Sequence, residues 1–67
     1  MEIETEKILE KIREKRLEKG LSIQNLANAV GISHSHLYYI ESKKVVPSID
    51  ILIKITKAFD LELKDFL

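Results

Sequence analysis

The feature that most constrains this 67-residue chain is the punctuation between Ser22 and Ser42. Ser22 is a helix-capping residue type, and Ile23, Leu26, Ala27 and Val30 follow it at helical spacing. Gly31 then stops the run, because glycine adopts the positive φ that a tight turn needs. Ile32 offers one apolar side chain to plug the turn, and Ser33 caps a second short helix. Leu37 and Ile40 anchor that helix from beneath, which leaves His34, Ser35, Tyr38 and Tyr39 facing outward. The small Ala27 allows the second helix to approach the first closely. Two short helices joined in this way make a helix-turn-helix.

The rest of the chain reads as helix too. Residues 5–19 form a first helix, with Thr5 as its cap and Glu2, Glu4 and Glu6 at the positive end of its dipole. Opposite charges recur three residues apart, Lys7 with Glu10, Glu10 with Arg13 and Lys11 with Glu14. Gly20 ends this helix. The third helix runs from Ser33 to Ser42, and Lys43 to Pro47 form a loop. Ser48 caps a fourth helix that reaches about Phe59, Asp60-Leu61 breaks it, and Glu62 to Leu67 make a further turn. Strand-like alternation is absent. The expectation is an all-α, compact five-helix bundle, a single domain over residues 1–67.

Composition narrows the function classes. The chain has no cysteine, hence no disulfide and no thiolate metal site, which fits a reducing cytoplasm. Its apolar runs are too short to span a membrane. Net charge is zero, from 11 basic and 11 acidic residues. That balance counts against nucleic-acid binding, for which a basic surplus is the usual footprint. The distribution answers part of the objection. From residue 21 to 48 the only full charges are Glu41, Lys43 and Lys44, so the centre of the chain is a polar, slightly basic strip.

Two charges stand on apolar stripes. Leu9, Ile12 and Arg16 share one face of the first helix, and Leu37, Ile40 and Glu41 share one face of the third. A lone buried charge is costly, whereas a paired and hydrogen-bonded one is tolerable. The economical arrangement pairs Arg16 with Glu41, the guanidinium fork matching the carboxylate. The competing arrangement sends both side chains out to solvent.

The chain resembles the Cro and phage-repressor helix-turn-helix family from about Ile12 to Leu67. The resemblance rests on Arg16, Gly20-Leu21-Ser22, Leu26-Ala27, Gly31-Ile32-Ser33, Ile40-Glu41, Pro47-Ser48 and the closing Phe59-Asp60-Leu61-Glu62-Leu63. It implies a five-helix fold of the phage-repressor type, homodimers on palindromic operators, repression of transcription and an ion pair between Arg16 and Glu41. Four positions depart from the family pattern. Ile23 stands where a glutamine usually grips the DNA backbone, and Lys43 stands where glycine is usual. Lys43 therefore adopts a strained left-handed conformation, or the loop takes another path. Val45 and Val46 replace the usual basic residues, so weaker non-specific DNA binding is expected.

By position, the resemblance assigns base reading to His34, Ser35 and Tyr39, with Tyr38 and His36 beside them. Serine and neutral histidine offer donors and acceptors to base edges, and tyrosine can pack a thymine methyl. The competing reading makes the two tyrosines half-buried surface aromatics. Phosphates are assigned to Lys43 and Lys44, and to backbone N–H groups at the helix starts near Ser22 and Ser48. His34 and His36 are two apart on a helix and point apart, with no cysteine or nearby acid to complete a set. No metal, cofactor or small-molecule ligand is expected.

The fourth helix is apolar nearly all round, and one helix of a small domain buries only one side. A homodimer interface at Ile51, Ile55, Leu63, Phe66 and Leu67 is the expectation, a larger core the competing one. An enzyme is not expected, since the chain has no cysteine nucleophile, no Gly-rich phosphate loop and no convergent cluster of acids. The serious rival is a module that binds another regulator through the fourth helix and the chain end.

Overall fold

The computed structural model describes all 67 residues. It contains four α-helices, α1 (Ile3–Glu18), α2 (Ile23–Val30), α3 (His34–Glu41) and α4 (Ile49–Ala58), and a closing 3-10 turn (Leu63–Phe66). The all-α expectation holds. The fifth element, however, is a single tight turn and not a helix. Residue 5 does not start α1 either. Glu2 occupies the N-cap position without a side-chain cap, and Thr5 lies inside the helix.

The three remaining helix starts follow from serine chemistry. The Ser22 hydroxyl accepts from the Asn25 amide, Ser33 from His36, and Ser48 from Ile51. Each bond satisfies one of the amides that a helix start leaves without a partner, which stabilises it by about 1 kcal/mol. The helix ends follow a second rule. A residue in the left-handed region stands just beyond each one: Gly20 (φ 68°), Gly31 (φ 85°), Lys43 (φ 65°) and Asp60 (φ 63°). Beyond each of the four, the next amide reaches back to a carbonyl in the helix's last turn, as Leu21 does to Arg16 and Ile32 to Ala27, each at 3.0 Å. Glycine adopts this conformation freely and aspartate tolerates it. Lysine has neither advantage, so the backbone at Lys43 is strained.

Packing joins α2 to α3 and α4, and α1 to α3 and the closing turn. Leu9 and Ile12 of α1, Leu26 and Ala27 of α2, Leu37 and Ile40 of α3, and Ile55 of α4 are fully buried where these elements meet. Burying each leucine or isoleucine is worth about 1.5–3 kcal/mol. Ile32, in the turn between α2 and α3, packs partly buried against the same core. Phe66 folds the chain end back, its ring centroid 6.3 Å from that of Phe59. The effect is to hold α3 by its inner face alone.

Candidate functional site

Leu37 and Ile40 bury the inner face of α3, while His34, Ser35, His36, Tyr38 and Tyr39 are all exposed. The structure thus brings the five residues expected to read bases onto a single eight-residue helix. The two tyrosines are nearly half exposed, and their rings meet edge to face at 5.7 Å. Edge-to-face contact is a favoured arrangement of aromatic rings and restrains both side chains.

The helix is fixed from behind by charge as well as by packing. Arg16 Nε donates to Glu41 Oε2 at 2.8 Å, and Nη2 donates to Oε1 at 2.9 Å. A third guanidinium donor, Nη1, reaches the Leu21 carbonyl at 2.8 Å. The side chains retain only 9% and 5% of their accessible surface, so the pair is buried and bidentate. It connects α1, the turn before α2 and the end of α3. No buried side-chain nitrogen or oxygen lacks a partner.

The residues expected to hold phosphate are not equivalent. Lys44, Ser22 and Ser48 are exposed, Lys44 forms no ion pair, and the Ser48 hydroxyl caps α4. Ser22 is engaged in a closed capping box. Its hydroxyl accepts from the Asn25 amide at 3.0 Å and donates to Asn25 Oδ1 at 2.7 Å. Lys43 is engaged too. Its ammonium donates to Glu10 at 2.6 Å and lies 3.8 Å from Glu6. The hydrogen bond and charge of Lys43 hold the Glu10 carboxyl below its usual range, and the hydrogen bond from Lys43 to Glu10 lifts the ammonium above its own. Glu10 thus turns to the loop after α3, and the ion pair that forms along α1 is Lys15–Glu18, at 3.5 Å.

Two residues expected at an interface between copies belong instead to the core. Ile55 is fully buried and Phe66 is 2% exposed, because α4 and the closing turn seal the bottom of the same core that holds α3. Ile51 and Leu63 are half-buried, and Leu67 is exposed. The outward apolar face of α4 is formed by Ile49 and Ile53, one turn apart.

Sequence reasoning missed Asn25, Glu10 and Arg13. Asn25 stands three residues after the Ser22 cap, the spacing of a capping box, so that signal was present. Glu10 is 33 positions from Lys43, and no local pattern links them. Arg13 lines a shallow notch with Ile23, Tyr38 and Ser42, directly over the buried ion pair.

Comparison with known proteins agrees with the helix-turn-helix fold. A helix-turn-helix family model matches residues 12–66. The HTH-type transcriptional regulator PuuR of Escherichia coli (strain K12) is 38% identical over 56 residues, which is 84% of this chain and 30% of that protein. The PuuR of Shigella flexneri matches to the same extent. The uncharacterized HTH-type transcriptional regulator YgzD of Bacillus subtilis (strain 168) is 34% identical over 55 residues, 82% of this chain and 83% of that protein. The chain therefore spans less than a third of the length of PuuR and most of the length of YgzD.

Proposed function

The chain belongs to the Cro and phage-repressor type of helix-turn-helix family, and from that premise we propose that it binds double-stranded DNA and regulates transcription, as a repressor that occupies an operator. The observation that carries this reading is α3. Its outer face presents His34, Ser35, Tyr38 and Tyr39 to solvent, while its inner face is anchored by Leu37, Ile40 and the Arg16–Glu41 pair. A helix held so firmly on one side can enter the major groove, about 12 Å wide, without losing its orientation. Base edges are read by the exposed polar groups, and phosphates are held by Lys44 and by the chain around Ser48. The work is binding, with no chemical step.

The same reading includes a homodimer, since two copies would set two copies of α3 about one DNA turn apart. Ile49 and Ile53, both exposed on α4, support that pairing. They also support the second reading, a surface that docks another regulator. No helix of the chain is long and apolar enough to cross a membrane, and a cytoplasmic location follows from the proposed work on DNA.

The test is an amide NMR titration with a random-sequence duplex at low salt. Shifts confined to about residues 22–48 and reversed by salt are expected. Absence of those shifts, with concentration-dependent broadening in α4, would replace DNA binding by the docking reading.

A further inference from the structure

Lys43 is expected to hold phosphate, yet its side chain is already engaged within the chain. It lies just beyond α3, beside the face proposed to meet DNA, and carries one of only two lysines between residues 21 and 48. Its ammonium is already neutralised, at 2.6 Å from Glu10 and 3.8 Å from Glu6. The backbone beneath it is left-handed, with φ 65°, at a position where a lysine side chain is strained. Both partners are solvent-facing, at 33% exposure for Lys43 and 56% for Glu10, so the contact can open without uncovering the core.

We infer that Glu10 is an affinity-setting residue, which competes with DNA phosphate for Lys43. The inference rests on the DNA-binding reading above. The physical argument is an exchange. A lysine that is free in solution neutralises a phosphate and releases the cation condensed there, which steepens the dependence of affinity on salt. A lysine taken from a carboxylate leaves that carboxylate bare. That bare charge beside the DNA offsets the phosphate contact, so Lys43 stays with Glu10 and the cation condensed at that phosphate is not released. Lys43 therefore contributes little to affinity or to salt dependence while Glu10 is ionised and in place. The contact works as a brake on non-specific binding, in a chain that has few basic residues on this face to begin with.

Fluorescence anisotropy with a labelled random-sequence duplex, from about 50 to about 200 mM salt, tests this on the whole chain. Glu10→Gln should bind more tightly than the wild type at low salt. Its slope of log affinity against log salt should be steeper by about 0.9 per subunit, so its advantage shrinks roughly threefold across that range. In a Lys43→Gln background the same Glu10→Gln change should have no effect, because nothing is left to release. Glu14→Gln removes an equal charge from α1 at a residue that pairs with no lysine, and should leave the slope unchanged. A wild-type slope in Glu10→Gln overturns the inference. So does a gain that persists without Lys43, which would make Glu10 a plain repelling charge. In either case wild-type binding still stands, and with it the DNA-binding reading. If the wild type does not bind the duplex at any salt, both readings fall together.

Discussion

Two ion pairs tie α1 to the far end of α3, and they differ in kind. Arg16–Glu41 is buried, bidentate and completed by the Leu21 carbonyl. Lys43–Glu10 is a single contact in solvent, with Glu6 at the edge. The first cannot open without leaving a charge in the core. The second can exchange its partner for water, salt or a phosphate, since exposed pairs gain little and are screened. One pair therefore fixes where α3 sits, and the other leaves the margin of the proposed DNA face adjustable.

The sharpest way to break this comparison is Arg16→Met. It leaves the Glu41 carboxylate buried without a partner and should cost about 3–5 kcal/mol, enough to lower the melting temperature by more than roughly 10 °C in thermal circular dichroism. The double variant Arg16→Met with Glu41→Leu should recover much of that loss, since apolar residues of similar volume often replace a buried pair without penalty. A double variant as unstable as the sum of the single ones would mean that the two side chains act independently. Leu37→Ala should cost about 2–5 kcal/mol by leaving a cavity beneath α3. It tests whether packing or charge does more to hold that helix.

A smaller effect is expected at Ser33. Ser33→Ala removes the cap of α3, where the hydroxyl accepts from the His36 amide at 3.0 Å. About 1 kcal/mol should be lost, with a drop in melting temperature of roughly 4–8 °C. The smallest effect belongs to the exposed pair. Glu10→Gln should shift the melting temperature by roughly 2 °C or less near neutral pH. Its pH dependence has a definite sign. The Glu10 carboxyl is held below its usual value of 4.5 by the Lys43 hydrogen bond, so its contribution is complete above that value and is lost as pH falls through the lower folded one. The Lys43 ammonium is held above 10.5 by the Glu10 hydrogen bond, so its contribution is complete below that value and is lost as pH rises through the higher folded one. Melting curves of wild type and Glu10→Gln should therefore keep a constant separation between about pH 5 and pH 10 and converge at both extremes. A separation that changed sharply near neutral pH would place another titrating group in the contact.

Much of the architecture was legible because it is written in short-range rules. The serines at 22, 33 and 48 cap helices through an amide three residues on, and Gly20 and Gly31 close them through φ values that few other residues accept. The inner face of α3 could be read from the spacing of Leu37, Ile40 and Glu41. The charge at Arg16 and the charge at Glu41 announced themselves by standing on apolar stripes. Thr5 misled because it has the chemistry of a cap, yet the helix extends past it to Ile3. Ile55 and Phe66 misled for a different reason. An apolar residue has the same signature whether it faces its own core or another copy, and only the packing of α4 on α2 and the return of the chain after Asp60 place these two inside.

The sequence by itself determined where each helix after α1 begins and stops, and which side of α3 faces inward, since those choices depend on neighbours a few residues away. The Arg16–Glu41 pair could be expected from two charges on apolar stripes; only the tertiary structure decided between that pair and two solvent-facing side chains, how much of α4 remains exposed, and that Lys43 turns to Glu10 across 33 positions. Those outcomes depend on distances between elements packed against one another, and no spacing along the chain encodes them.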